Sequence, residues 1–360
     1  IARKARRCPQ EKFNALMHHF SVDNLRECFR SLDDRKAIGI DGVSKDQYGI
    51  NLEENLKGLH QRLRSMSYRP QPVRKVEIPK DDGSTRPLGI SCIEDKIVQE
   101  MMRQITEAIY EPRFIDSSYG FRPNRSCHDA LRKINSEIMS KPVNYLLDLD
   151  LSKFFDSMPH KDILDIFGIR IKDKRFLRIL ARMLKAGVYT PTGVVYDEFG
   201  SPQGSIASPA IANVFLHHVL DLWFKLVVAK HCKGYCEIIR YADDVCAIFQ
   251  IELDAQRFMA VLPKRLEKFG LSINWSKTRL IHIGKQQAYK QKAAGKRLES
   301  FDFLGFTHYW GKSQRGFLRL KRKTSRKRFK RGLVALNQWL KEHRNVYPMA
   351  SIWRIVSSKV

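Results

Sequence analysis

Apolar residues recur along this chain in two rhythms, and each rhythm predicts a class of element. Across residues 11–63 the spacing is helical, with Phe13, Leu16, Met17 and Phe20 on one stripe and Leu52, Leu56, Leu59 and Leu63 on another. Between the stripes, Gly39-Ile40-Asp41-Gly42 reads as a tight loop. Residues 73–79 and 85–90 read as strands joined by the turn Asp81-Asp82-Gly83-Ser84. Helical spacing returns at 94–110, 127–139 and 161–186, followed by a strand pair across 188–199 and an apolar helix at 209–228. The runs Ile238-Ile239 and Val245-Cys246-Ala247-Ile248-Phe249 predict a hairpin, 255–269 an amphipathic helix, and 271–278 and 300–309 further strands. No repeat is evident.

The segment from Asn144 to Asp156 alternates and then breaks. With period 2, Asp148, Asp150 and Ser152 share one face and Leu147, Leu149 and Leu151 the other, so at least one acid projects from a sheet surface. A second acidic site lies at the hairpin tip, Tyr241-Ala242-Asp243-Asp244. Alone, that tetrapeptide reads as an ordinary Asp-rich turn. Two carboxylate-bearing strands lying side by side are, however, what a two-metal phosphoryl-transfer site requires, and a divalent cation compensates the repulsion between neighbouring acids.

Charge sharpens this picture. The 360 residues hold 65 basic and 38 acidic side chains, a net charge of +27, which points to a polyanionic partner, nucleic acid foremost. Apolar residues at 43% allow one large or two modest cores. No apolar run reaches the length of a membrane span, and the basic N-terminus Ala2-Arg3-Lys4-Ala5-Arg6-Arg7 lacks the apolar core of a signal peptide, so a cytoplasmic site and no membrane partner are expected. Seven unevenly spaced cysteines read as reduced thiols.

The predicted hairpin at 73–90 carries Arg74, Lys75, Lys80 and Arg86, a set able to hold a triphosphate if it stands over the acids. The loop Ser118-Tyr119-Gly120-Phe121-Arg122-Pro123-Asn124-Arg125-Ser126 sets two arginines beside aromatics. The turn Ser201-Pro202-Gln203-Gly204-Ser205 opens a helix, offering free backbone donors and a side-chain amide to a nucleotide. From Lys312 to Arg331 eleven cations occur without an acid, passing into Leu333, Leu336, Trp339 and Leu340, which describes a helix with a core face and a phosphate-tracking face.

These motifs, in this order, resemble the reverse transcriptases encoded by bacterial group II introns, which also serve as splicing maturases. RPLGI at Arg86, SYGFRPNRS at Ser118, DLSKFFD at Asp150, SPQG at Ser201 with ASPAIAN following, YADD at Tyr241, Lys277-Thr278 and FLGF at Phe303 carry the resemblance over nearly the whole chain. It implies an α+β right-hand polymerase: an N-terminal extension at 1–62, fingers and a ferredoxin-like antiparallel palm with helices on one face at 63–310, and the start of a helical thumb and maturase domain at 311–360, cut short relative to the family.

The resemblance further implies RNA-directed DNA synthesis with two Mg²⁺ ions, Mn²⁺ being a possible substitute. Asp150, Asp243 and Asp244 would be the catalytic carboxylates, with the Leu151 carbonyl as a further metal ligand. Phe155 would gate the incoming sugar, Gln203 contact the nucleotide, Lys80 and Arg86 its phosphates, and Lys277 protonate the leaving pyrophosphate. Arg122, Arg125, Lys321, Arg322, Lys323, Arg326, Lys327, Arg328 and Lys330 are the expected nucleic-acid contacts. The partners implied are an RNA template, a DNA or RNA primer, dNTPs and group II intron RNA. Ser205-Ile206-Ala207 departs from the family, where many members have a second Gly and a bulkier residue. Two alternatives share the motifs: a non-polymerising RNA-binding maturase, and a polymerase of this lineage recruited to CRISPR or antiviral defence.

Overall fold

A computed structural model of the chain describes residues 1–79, 85–190, 192–200 and 204–359, with the side chains of Arg86 and Lys359 outside the description. Its strands are β1 (Val73–Pro79), β2 (Thr85–Ile90), β3 (Tyr145–Leu149), β4 (Val188–Thr190), β5 (Gly193–Val195), β6 (Cys236–Tyr241), β7 (Asp244–Phe249), β8 (Arg279–His282), β9 (Ser300–Phe303), β10 (Phe306–Lys312) and β11 (Leu318–Thr324). They form three sheets, ordered β2-β1-β4-β5, β6-β7-β3-β8 and β11-β10-β9. Mixed α and β structure is as expected.

The antiparallel sheet β6-β7-β3-β8 is the centre. Its residues alternate between two cores. Leu147, Leu149, Val245, Ala247 and Phe249 enter a large helical core, while Leu146, Cys246, Ile248 and Ile281 enter a second core with helix Cys127–Ser140 and sheet β11-β10-β9. Both faces are therefore covered, where helices on one face were expected. Asp148 shares the face of Leu146, and Asp150 follows the strand's last residue, Leu149.

Several boundaries differ from the periodicity. Residues 11–20 make no α-helix beyond a 3₁₀ turn at Met17–His19, because Phe13 instead bridges Ile171 and exchanges backbone bonds with Arg170 and Lys172. Phe13, Leu16 and Phe20 are still buried. The stretch 271–278 turns at Asn274, whose carbonyl accepts from Lys277 and Thr278, so the strand begins only at Arg279. The strand expected at 300–309 is two strands joined at Leu304 and Gly305, both with positive φ, +51° and +81°, as a tight hairpin requires. The cation-rich stretch from Lys312 is likewise a hairpin: Leu318 and Leu320 are buried while the residues between and after them are exposed. The helix starts at Arg326 and runs to His343 without fully burying a residue among those described: of the expected core face, Leu333 is exposed and Leu336, Trp339 and Leu340 are only half-buried.

One helical stretch, Ser208–His231, is long and apolar enough to cross a membrane, contrary to the expectation from the sequence; with 67% of its most apolar window buried inside the protein, it serves as a core helix. All seven cysteines are free thiols, as expected.

The N-terminal segment is tied to the body by Asp173. Its carboxylate caps helix Lys174–Leu184 through Arg175 N and Phe176 N, and its other oxygen accepts from Leu16 N at 2.7 Å and Met17 N at 3.3 Å. Asp173→Ala removes a cap and strands the buried Leu16 amide, so a loss of about 2–4 kcal/mol is expected. Chemical denaturation measures it; an unchanged midpoint would mean that water replaces the carboxylate.

Candidate active site

The hairpin between β6 and β7 closes on two residues, since Tyr241 pairs Asp244 across Ala242-Asp243. Ala242 has φ +56°, a conformation that a residue with a Cβ adopts only when its surroundings impose it. β3 lies beside β7 with Leu149 opposite Val245. Asp150, following Leu149, and Asp244, preceding Val245, therefore come to the same end of the sheet. Leu151 is buried and bridges Ile273, while Asp150 accepts from Asn274 N at 2.9 Å and donates its own amide to Thr278 Oγ1 at 3.2 Å. Lys277 Nζ stands 3.8 Å from the Asp150 carboxylate.

A cleft of about 330 Å³ opens at this end, lined by Asp243, Asp244, Tyr241, Phe155, Phe121 and the turn from Gly204 to Pro209. Phe155 is half-buried and packs edge-on against Phe154 at 5.2 Å, so it is both core and cleft wall. The turn is held in two ways. Gly204 has φ +107° and lies so near β2 that a Cβ would sit 2.5 Å from the Gly89 carbonyl oxygen. Gln99, itself bonded to Ser91, accepts from Ile206 N at 3.1 Å. Lys80 and Gln203 lie outside the described residues, and for Arg86 only the backbone, opposite Ile78 in β2, is described.

The acids interact electrically. Asp244 is open to the cleft on one side but enclosed by protein on the others; desolvation, followed by repulsion from Asp243, Asp150 and Asp148, raises its pKa to about 7. Asp148, one turn of the pleat back, is raised to about 6 by burial, offset in part by Arg279 at 3.7 Å. Among the described residues no three His, Cys, Asp or Glu side chains form a ready-made metal cage. The donor set nonetheless fits a hard divalent cation: Asp243 and Asp244 line the cleft, Asp150 is close enough to repel Asp244, and that repulsion between oxygen donors is what such an ion relieves.

The residues that hold the tip in place were not foreseen. Arg240 is fully buried, donates to both oxygens of buried Asp221 at 2.8 and 2.7 Å, and uses its remaining nitrogen on Asn213 Oδ1 and the Ala242 carbonyl, each at 2.9 Å. Burial alone would raise the Asp221 pKa; the guanidinium outweighs it and holds the carboxyl below its ordinary value. Asn213 in turn donates to the Gly120 carbonyl at 2.7 Å. Gly120 presses on the tip, where a Cβ would collide with Ala242 N and approach Tyr241 C to 2.8 Å. The signal was present: a cation follows Ile238-Ile239, and an acid interrupts the apolar run Val219-Leu220-Asp221-Leu222. Each demands a buried partner.

The expected nucleic-acid contacts divide. Arg122 is a correction: its side chain is buried and spent on Glu111, Ile115 O and Ser118 O, so it fixes the loop from within. Arg125 is partly exposed, bonded to Asp116 and set over Tyr119 at 5.3 Å. Lys321, Arg322 and Lys323 on β11, and Arg326, Lys327, Arg328 and Lys330 on the following helix, are all exposed.

With this geometry in place, comparison with known proteins is informative. The sequence profile of the family described as reverse transcriptase (RNA-dependent DNA polymerase) matches residues 78–308. The group II intron-encoded protein LtrA of Lactococcus lactis subsp. cremoris is 36% identical over 192 residues, covering 53% of this chain and 32% of that protein. Protein YkfC of Escherichia coli is 31% identical over 281 residues, 68% of this chain and 72% of its own length. An uncharacterised 91 kDa protein in a cob intron of Schizosaccharomyces pombe is 43% identical over 159 residues, 44% of this chain and 20% of its own. The matched regions thus span about a fifth to a third of the intron-encoded relatives.

Two outcomes follow from the site. Gly120→Ala must push Ala242 and Asp243 away, so metal-dependent activity should fall at least ~100-fold, given that ångström-scale misplacement costs about that much; turnover near wild type would show that the tip is not held by this contact. The raised Asp244 pKa means that the folded, metal-free protein retains a proton that the unfolded chain, titrating at the ordinary 3.8, has lost. Stability attributable to this group is therefore full below pH 4 and lost as pH rises to about 7. In EDTA, Asp244→Asn should melt above wild type at pH 8 and level with it at pH 4; an equal difference at both pH values would contradict the assignment.

Proposed function

Because the chain belongs to the reverse transcriptase (RNA-dependent DNA polymerase) family, we propose that it is an RNA-directed DNA polymerase of group II intron type, extending a DNA or RNA primer with dNTPs on an RNA template. The observation that carries this reading is the pairing of β3 with β7, which brings Asp150 to the same end of the sheet as the Asp243-Asp244 tip, itself lining a cleft of nucleotide size. On this reading the sheet β6-β7-β3-β8 is the palm of a right hand, the hairpin β1-β2 belongs to the fingers within residues 63–310, and residues 1–62 are an N-terminal extension. The thumb then begins at Arg326, after β11, rather than at 311.

Asp150, Asp243 and Asp244, with the Leu151 carbonyl, would hold two Mg²⁺ ions, for which Mn²⁺ is a chemical substitute. When bound, such ions activate a primer 3′-hydroxyl and neutralise the charge of the triphosphate and pyrophosphate. The protein's own groups do the rest. Phe155 lines the cleft, where it would exclude a 2′-hydroxyl. Lys277, beside Asp150, is near enough to supply a proton or a positive charge to a leaving phosphate. Lys80, Arg86 and Gln203 complete the nucleotide contacts in this proposal. The first turn of helix Ser208–Leu216 lines the same cleft through Ser208 and Pro209.

A second role, binding of intron RNA as a splicing maturase, draws on a separate observation. The exposed cations of β11 and helix Arg326–His343 form a surface with no acid from Lys312 to Arg331, suited to a phosphate backbone.

Primer extension on an RNA template tests the main reading. DNA synthesis that requires Mg²⁺, stops in EDTA and is lost in Asp243→Ala is expected, with RNA affinity within about twofold of wild type in the variant. Tight RNA binding with no synthesis by the wild type would replace the polymerase reading by the maturase one.

A further inference from the structure

Phe121 is a bulky residue held in the left-handed region, φ +53°, and as a residue is 53% exposed at the acid-bearing cleft. Both properties are unfavourable. A β-carbon at positive φ is strained, and an exposed ring gains nothing from burial. The loop around it is nevertheless rigid. Arg122 is locked beneath it by the Glu111 carboxylate and two carbonyls and lies over Phe114 at 5.1 Å; Tyr119 N donates to the Arg240 carbonyl at 2.8 Å; Asn213 holds the Gly120 carbonyl. The structure thus fixes both sides of Phe121 and leaves its ring free. That ring lies 6.4 Å from Tyr241, centroid to centroid, and lines the same cleft as Asp243, Asp244 and Phe155.

We propose that Phe121 is a substrate-contacting residue, packing its ring with Tyr241 against the base or sugar of a nucleotide whose phosphate chemistry takes place at the neighbouring acids. The inference rests on the reading of this cleft as a polymerase site. Its chemistry is the apolar face of a nucleoside, which two molecules supply: the 3′-terminal nucleotide of the primer and the incoming dNTP. An aromatic contact of this kind is sequence-tolerant, because every base offers a π-face.

The strain supplies the discriminating variant. Glycine is at ease at φ +53°, so Phe121→Gly should melt no lower than wild type if the ring serves the ligand, and lower if the ring serves the fold. Primer extension by Phe121→Gly and Phe121→Leu should fall roughly 5- to 100-fold in kcat/KM, while Phe121→Tyr restores it to within about twofold. A rise confined to the KM for primer–template identifies the primer terminus as the occupant; a rise confined to the KM for dNTP identifies the nucleotide. Either supports the proposal. Emission from Phe121→Trp, read against wild type, should be quenched by an RNA–DNA primer–template or by dNTP with EDTA present, which reports contact even if the wild type does not extend. Unchanged kinetics in Phe121→Leu, or a Phe121→Trp signal indifferent to both ligands, would overturn it. Absence of synthesis by the wild type would instead count against the polymerase reading, and the fluorescence would still decide the contact.

Discussion

The buried pair between Arg240 and Asp221 is the interaction on which the acid-bearing end of this molecule depends. A guanidinium near the end of an apolar strand is tolerated only when it is paired and hydrogen-bonded, and here its nitrogens reach a carboxylate, an amide and a backbone carbonyl. Such a pair adds little net stability over an apolar substitute, yet removing one partner costs about 3–5 kcal/mol. Its value is positional. One side chain ties the core helix to the carbonyl of Ala242, the residue whose backbone is forced into the left-handed region at the tip.

The core helix must bend its geometry to make this possible. Asn213 and Asp221 are eight residues apart, and in a regular α-helix they would point about 80° away from each other. The turn from His217 to Asp221 is π-helical, and the wider turn brings both side chains to the same arginine. Asn213 then extends the network to Gly120, so the loop that presents Phe121 and the hairpin that presents Asp243 are referenced to one point. Two segments more than a hundred residues apart are thereby set with hydrogen-bond precision.

The electrostatics follow from that rigidity. Acids that could otherwise swing apart are kept at one end of the sheet, and Asp244 answers by holding its proton to about pH 7. On the proposed reading a divalent cation would compete with that proton for the same oxygens and relieve the repulsion. Beyond the cleft the charge reverses, with the exposed cations of β11 and the helix after it.

The alternation of 144–156, the doublet at the hairpin tip and the order of the motifs determined from sequence alone that the chain is α+β, that β3 and the hairpin carry the acids, and which family the chain belongs to. These signals are local, set by side-chain period and by turn chemistry within a few residues. What lay beyond the sequence was every feature whose cause is distant. Phe13 reads as helical but bridges Ile171; the cations after Lys312 read as helix but begin as strand because Leu318 and Leu320 find a core; Arg122 reads as a surface cation but is consumed inside. Arg240 and Asp221 each announced a need for a partner, and only the packing of helix on sheet decided that they satisfy one another. Period reports which face a residue takes, whereas the identity of the neighbour on that face is a property of the three-dimensional arrangement.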